Sequence, residues 1–242
     1  MHSHNIKARI SMRIHKYISL TGFCSRRETK RLLENGRITI NGEICNKDTM
    51  VNEGDVVLID GQPIPHKSSA AYIAFNKPVG ITSTSNPDIE GNILELVDLP
   101  ERVFAVGRLD KASQGLILLT NDGELANRIS QADYGHEKEY EVTVDQPVTD
   151  LFIQKMAQGV PILKTVTKPA NTEFVSKYVF RITLTQGLNR QIRRMCKTLG
   201  YEVEKLERIR IMNIHLHALN AGKWRYLEDE ELSELKKSLG VH

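Results

Sequence analysis

The chain has 242 residues, 40% of them hydrophobic, enough for one sizeable domain or a small one joined to a larger one. Lys and Arg number 33 against 30 Asp and Glu, so a net charge of +3 excludes a uniformly basic or acidic protein and leaves local charge to inform about partners. Cys24, Cys45 and Cys196 are far apart with no C-x-x-C pair, no apolar run approaches the roughly 18 residues of a membrane span, and MHSHNIKARI lacks a signal-peptide core; a cytoplasmic protein with no disulfide framework, no metal site and no membrane contact is expected.

In chain order, residues 13–20, RIHKYISL, place Ile14, Tyr17 and Ile18 at helical spacing, before a turn at Thr21-Gly22. Ser25-Arg26-Arg27-Glu28 is a capping-box pattern that opens a second helix, which runs through Leu32 and Leu33 and stops at Gly36. Asn41-Gly42 predicts a hairpin, because both residues tolerate positive φ. Residues 56–59 read as a further strand turned at Asp60-Gly61, and the polar, proline-punctuated stretch 63–69 as a linker. Beyond it, strands are expected at 72–75, 103–106, 116–120, 140–144 and 180–184, with helices at 123–130, 149–158 and 189–199. In the last helix Ile192, Met195, Cys196 and Leu199 form one apolar stripe. Strands and helices mixed without strict βαβ alternation predict an α+β fold, divided into a small domain at 9–66 and a larger one at 70–242. His2 and His4 fall on a loose start, and His215 and His217 alternate as strand neighbours do, so neither pair calls for a metal.

Charge is uneven along the chain. Residues 9–37 hold eight Lys and Arg against Glu28 and Glu34, and residues 181–210 hold eight against Glu202, Glu204 and Glu207. Two basic patches suit a polyanion held at two places, whereas the plain alternative is two solvated faces. The segments RIHKYISLTGFCSRRETKRLLENGRITINGEIC and VNEGDVVLIDG resemble the S4 RNA-binding domain. Arg26, Arg27, Lys30 and Arg31 can line one side of its capped helix and contact phosphates, which position RNA without reading its sequence.

The most informative segment is GRLDKASQGLILLTNDG, residues 107–123. It places Asp110 at the end of a strand, on a loop bounded by glycines. A lone loop aspartate is usually a turn residue, but the whole segment resembles the signature of the RsuA/RluB/E/F family of pseudouridine synthases. NKPVG at 76–80, KEYEV at 138–142 and GLNRQIRRM at 187–195 resemble further family motifs in the expected order. HEKEYEVTVD and TQGLNRQIRRMC look most like the RluF branch. Two departures stand out. Gln186 occupies a place where many relatives are acidic, and the chain ends at His242 without the basic tail of some members.

The resemblance implies a mainly antiparallel catalytic sheet and a cofactor-free isomerisation of uridine. That reaction breaks the C1′–N1 bond, turns the uracil and joins its C5 to C1′. The sequence carries neither a P-loop nor a G-x-G-x-x-G fingerprint, in keeping with that chemistry. Asp110 is implied as the nucleophile, since a carboxylate suits charge developing at an anomeric carbon. Arg193 is implied as its cationic partner, able to hold it through a two-pronged hydrogen bond. On a helix, Arg190 and Arg194 would lie about 300° and 100° round the axis from Arg193, so they are expected to contact phosphates instead. Arg108, the motif arginine, is expected to help open the RNA or hold the flipped nucleotide. Tyr140 is expected to stack on the uracil; its phenol is a second candidate, as base for the C5 proton, although an ordinary phenol is protonated at neutral pH.

The implied partner is RNA: large-subunit rRNA or a pre-ribosomal particle, with a tRNA as second substrate, met by a monomer. One rival is a non-enzymatic S4-type ribosome-associated factor, which leaves the later motifs unexplained. Another is a glycosidase or nucleoside hydrolase, which would need a second carboxylate; Glu137, Glu139 and Glu141 lie nearby in sequence, but none carries a recognisable acid-catalyst motif.

Overall fold

The computed structural model describes residues 11–64, 69–84, 86, 88–131 and 135–241. His2, His4, Arg9 and linker positions 65–68 lie outside them. The chain forms two compact units, one reaching to Ala70 and including Pro100–Arg102, the other comprising Ala71–Leu99 and the chain from Val103 onward.

The first unit contains β1 (Met12–Arg13), α1 (Ile14–Thr21), α2 (Arg26–Glu34), β2 (Ile38–Ile40), β3 (Glu43–Ile44), β4 (Met50–Val51), β5 (Val57–Ile59) and β6 (Gln62–Pro63). The Ser25 hydroxyl accepts from the Glu28 N–H at 3.2 Å and starts α2, while the Glu28 carboxylate turns to Arg31 at 2.8 Å, so half of the capping box forms. The hairpin β2–β3 turns on Asn41 and Gly42 at φ 52° and 89°, and β5–β6 on Asp60 and Gly61 at 51° and 73°, the pairs of positive angles that two-residue hairpins require. The sheet order is β3-β2-β5-β6, and Ile14, Ile18, Leu32, Leu33, Ile38, Val57 and Ile59 fill the core beneath it. Pro63, expected in a linker, instead pairs opposite Leu58; an edge strand tolerates proline because its missing N–H faces no neighbour.

The second unit contains β7 (Tyr72–Lys77), a 3₁₀ turn (Ile93–Leu96), β8 (Phe104–Val106), β9 (Gln114–Thr120), α3 (Gly123–Ser130), β10 (Lys138–Val144), α4 (Asp150–Gln158), β11 (Pro161–Ile162), β12 (Thr165–Val166), β13 (Asn171–Ser176), β14 (Val179–Leu184), α5 (Gln191–Thr198), β15 (Val203–Ile211), β16 (Ile214–His215), β17 (Trp224–Tyr226) and α6 (Asp229–Ser238). Its sheet runs β13-β14-β10-β15-β9-β7-β17, with β8 beside β9 and β16 beside β15. Its pairings among the described residues are antiparallel except β9 with β15. The expected mainly antiparallel α+β arrangement is the one found.

The apolar run of β9 follows from burial on both faces. Leu116 and Leu118 pack with Leu125 and Ile129 of α3 and Leu235 of α6, while Ile117 and Leu119 pack with Ile73, Phe75 and Ile93. On the face of Ile117, α4 and α5 cover β10 and β14 through Phe152, Met156, Ile192 and Met195. Strand register sets one row across this face: Lys77 opposite Gly115, Gly115 opposite Arg208, Arg208 opposite Tyr140, and Tyr140 opposite Ile182. Gly115 is required there. Its φ is 105°, and a Cβ would lie 2.4 Å from the Arg208 carbonyl oxygen.

Candidate active site

Asp110 lies on the loop between β8 and β9, with its side chain exposed. The loop is pinned at nearly every step. Leu109 exchanges two hydrogen bonds with the Ser83 hydroxyl, which donates to its carbonyl at 2.8 Å and accepts from its N–H at 3.1 Å. The Asp110 carbonyl accepts from the Ser113 N–H at 3.0 Å, and the Lys111 carbonyl from the Gly80 N–H at 2.8 Å. Arg193 donates to the Ala112 carbonyl at 2.9 Å and reaches the Ser113 hydroxyl at 3.4 Å. The loop therefore presents a solvent-facing carboxylate from a backbone with little freedom.

Arg193 does reach the Asp110 loop, but not through the expected fork on the carboxylate. Its two Nη groups turn to backbone carbonyls instead, with a further bond to the Val203 carbonyl at 3.1 Å; its Nε has no partner among the described residues, and no ion pair within 4 Å joins it to Asp110 among them. The reason is position. Arg193 rises from α5 between the loop and the start of β15, where carbonyls point at it first. Burial holds its guanidinium below the ordinary value, helped by Arg190 and opposed by the charge of Asp110.

A second cation, to which sequence reasoning assigned no role, senses the same carboxylate. Lys77 is fully buried at the end of β7, where its ammonium donates to the carbonyls of Pro78 at 2.7 Å and Ile81 at 2.9 Å. Burial pushes its pKa down to about 8, Asp110 acting in the opposite sense and Arg208 in the same one. Arg208 is 2% exposed and donates through Nε to the Leu116 carbonyl at 2.6 Å, while its Nη2 has no partner among the described residues. Lys77 belongs to the NKPVG segment, so a signal was present. Arg208 had been counted as surface charge, and only the strand register reveals it as interior. Tyr140, beside Arg208 in the row, is half-buried against the α4–α5 core.

The basic patches thin out in three dimensions. In 181–210, Arg208 is buried, while Arg181, Lys205 and Arg210 are paired with Glu141, Glu207, and Glu137 plus Glu139 respectively. Arg190, Arg194 and Lys197 remain exposed. Arg190 is not helical: it precedes α5 in the left-handed region at φ 50°, so the helical-wheel angle assigned to it does not apply. Arg194 bonds Asn189 through its carbonyl at 3.0 Å and its side chain at 3.2 Å, which leaves Nη1 to reach outward. Arg108 is exposed beside Asp110. Gln186 accepts from the Lys168 N–H and from the Gln191 side chain, an acceptor role that a carboxylate could fill equally well. On α2, Lys30 pairs with Glu34 at 3.6 Å and Arg31 with Glu28, while Arg26 and Arg27 have no ion pair among the described residues.

The three glutamates in and just before β10 are all occupied by arginines: Glu137 and Glu139 by Arg210 at 2.9 and 2.7 Å, Glu141 by Arg181 at 3.2 Å. A paired carboxylate is a poor general acid, so none of these three glutamates suits the second carboxylate that a glycosidase uses.

A stiffly held aspartate over a mixed sheet, in a chain that also carries a small basic helix–hairpin unit, suits an RNA-directed enzyme. Residues 71–198 match the RNA pseudouridylate synthase family and residues 12–57 the S4 domain. The chain belongs to the RNA pseudouridylate synthase family and is an RNA pseudouridine synthase with an S4 domain. It is 54% identical over 229 residues to the dual-specificity RNA pseudouridine synthase RluF of Escherichia coli O6:H1, a match covering 94% of this chain and 79% of that protein. It is 29% identical over 233 residues to the ribosomal large subunit pseudouridine synthase B of Bacillus subtilis, covering 93% and 95%. A crystal structure of a pseudouridylate synthase superposes with a TM-score of 0.69 at 30% identity, covering 93% of this chain and 99% of that one.

Proposed function

We propose that this enzyme isomerises a uridine of large-subunit ribosomal RNA, with a tRNA uridine as second substrate, and that Asp110 is its nucleophile. The observation that carries the reading is the loop at 109–113, whose backbone is tied on both sides while the Asp110 side chain stays exposed. The names of two relatives support the substrates: one is dual in specificity, the other acts on the ribosomal large subunit.

The target nucleotide flips out and its uracil stacks on Tyr140. The Asp110 carboxylate then engages C1′, either by direct attack or by assisting elimination to a glycal. In the direct path the C1′–N1 electron pair leaves with the uracil. The ring turns, C5 displaces the carboxylate from C1′, the C5 proton passes to solvent and N1 takes one up. Atoms and electrons balance within the substrate, so no redox partner enters. Arg193 holds the loop, Arg190 and Arg194 meet phosphates, and Arg108 helps open the RNA or hold the flipped nucleotide. Residues 9–66 serve as the RNA-binding domain and 70–242 as the catalytic domain of a cytoplasmic monomer, with Arg26, Arg27, Lys30 and Arg31 on the RNA side.

The test uses unmodified transcripts of large-subunit rRNA and of tRNAs, incubated with the protein and mapped chemically for pseudouridine. Modification at one rRNA position and in a tRNA is expected. Product in neither RNA would overturn the substrate assignment.

A further inference from the structure

The Ser83 hydroxyl makes two hydrogen bonds, both to the residue before Asp110. It donates to the Leu109 carbonyl at 2.8 Å and accepts from the Leu109 N–H at 3.1 Å, with both residues buried. A serine that merely fills space needs one such bond. Two bonds to the two backbone groups of a single residue act as a substitute strand, fixing that residue's φ and ψ. The carbonyl held by Ser83 lies in the same peptide plane as the Asp110 nitrogen. The next plane is fixed by the Ser113 N–H on the Asp110 carbonyl at 3.0 Å. The two peptide planes that meet at the Asp110 Cα are therefore both clamped, one by Ser83 from outside the loop.

Ser83 is itself held. Thr82 donates its N–H to the Gly91 carbonyl at 2.8 Å and accepts from the Ile93 N–H at 3.2 Å, and Ile93 is fully buried. The clamp thus runs from a core residue of the second unit through Thr82 and Ser83 to Leu109.

We propose that Ser83 is a positioning residue of the pseudouridine synthase reaction, setting the direction in which Asp110 leaves the loop. The proposal rests on the reading of Asp110 as nucleophile. A shift of about 1 Å at a reacting group can cost about 100-fold in rate, and removing the hydroxyl frees one of the two planes that prevent such a shift.

The experiment measures tritium release from a large-subunit rRNA transcript labelled with [5-³H]uridine, for wild type, Ser83→Ala, Ser83→Thr and Asp110→Asn. Ser83→Ala is expected to lower kcat by about 10–100-fold with KM and RNA affinity within about twofold, while Ser83→Thr, which keeps the hydroxyl, recovers most of the loss. Should the alanine variant be insoluble, Ser83→Cys, a weaker hydrogen-bonding group of similar shape, is expected to show the same split in smaller degree. Wild-type kcat in either variant would overturn the proposal. So would a parallel loss of kcat, RNA affinity and thermal stability without rescue by threonine, which would mark Ser83 as a general core residue. Turnover by Asp110→Asn at the wild-type rate would overturn the nucleophile reading and the proposal together, whereas an inactive Asp110→Asn beside a fully active Ser83→Ala would overturn the positioning role alone.

Discussion

Replacing Arg193 separates two accounts of how Asp110 is served. In the structure the guanidinium binds the carbonyls of Ala112 and Val203 at 2.9 and 3.1 Å and touches the Ser113 hydroxyl at 3.4 Å. Hydrogen bonds involving a charged group are worth about 1.5–3 kcal/mol each, so Arg193→Ala removes roughly 3–6 kcal/mol of gross interaction from the base of the loop. Part of that appears as lower stability and part as displacement of the loop. A displacement of about 1 Å corresponds to about 100-fold in rate. Arg193→Lys can reach one carbonyl but not two, since its ammonium is a point donor without a planar fork. The expected single-turnover rates of tritium release are therefore down about 100-fold for alanine and about 10-fold for lysine, with melting temperatures showing that both variants remain folded. An alanine variant within about threefold of wild type would refute the reasoning, as would a lysine variant no better than alanine.

Lys77→Met tests the buried ammonium. With a folded pKa of about 8 against an ordinary 10.5, the unfolded chain binds more protons between those values, so this group's penalty is complete below about pH 8 and is relieved as pH rises toward 10.5. Urea unfolding should show wild type gaining roughly 2–3 kcal/mol on Lys77→Met between pH 7 and pH 10; a constant difference would contradict the buried, depressed lysine. Arg26→Ala with Arg27→Ala should lower the slope of log K against log salt for RNA binding by up to about 0.7–0.9 per residue, whereas an unchanged slope would make this helix face merely solvated. Gly115→Ala should destabilise the fold by about 3 kcal/mol or more, measured by chemical denaturation, because a Cβ would meet the Arg208 backbone and the φ of 105° disfavours it; a neutral effect would contradict the close β9–β15 approach.

What the sequence made legible were the features with local causes. Ser25 caps α2, Asn41-Gly42 and Asp60-Gly61 turn their hairpins, and strands β7, β9, β10 and β14 appear within a residue or two of their expected limits. β13 and β15 were not anticipated, because NTEFVS and VEKLERIRI are polar enough to read as loop. β13 is an exposed edge strand, and β15 carries most of its charges in ion pairs and in one buried arginine that only the register places. α6 begins with a run of acidic residues, and most of its side chains remain at least partly exposed, with Leu235 buried. At the site, Asp110 and Arg193 were legible through motif resemblance. Ser83 bonds backbone groups, which leave no mark in a pattern of residue types, and the NKPVG segment, although it contains Lys77, does not show that residue's carbonyl partners. The same is true of Arg193, whose place at the loop was expected but whose partners were not.

Tritium release from a [5-³H]uridine-labelled large-subunit rRNA transcript by Asp110→Asn, paired with RNA binding by the same variant, tests the central claim most directly. Asparagine keeps the shape of the side chain and the tied loop but removes the charged carboxylate. The account expects no detectable release and an RNA dissociation constant within about twofold of wild type. Release at the wild-type rate would contradict Asp110 as the nucleophile.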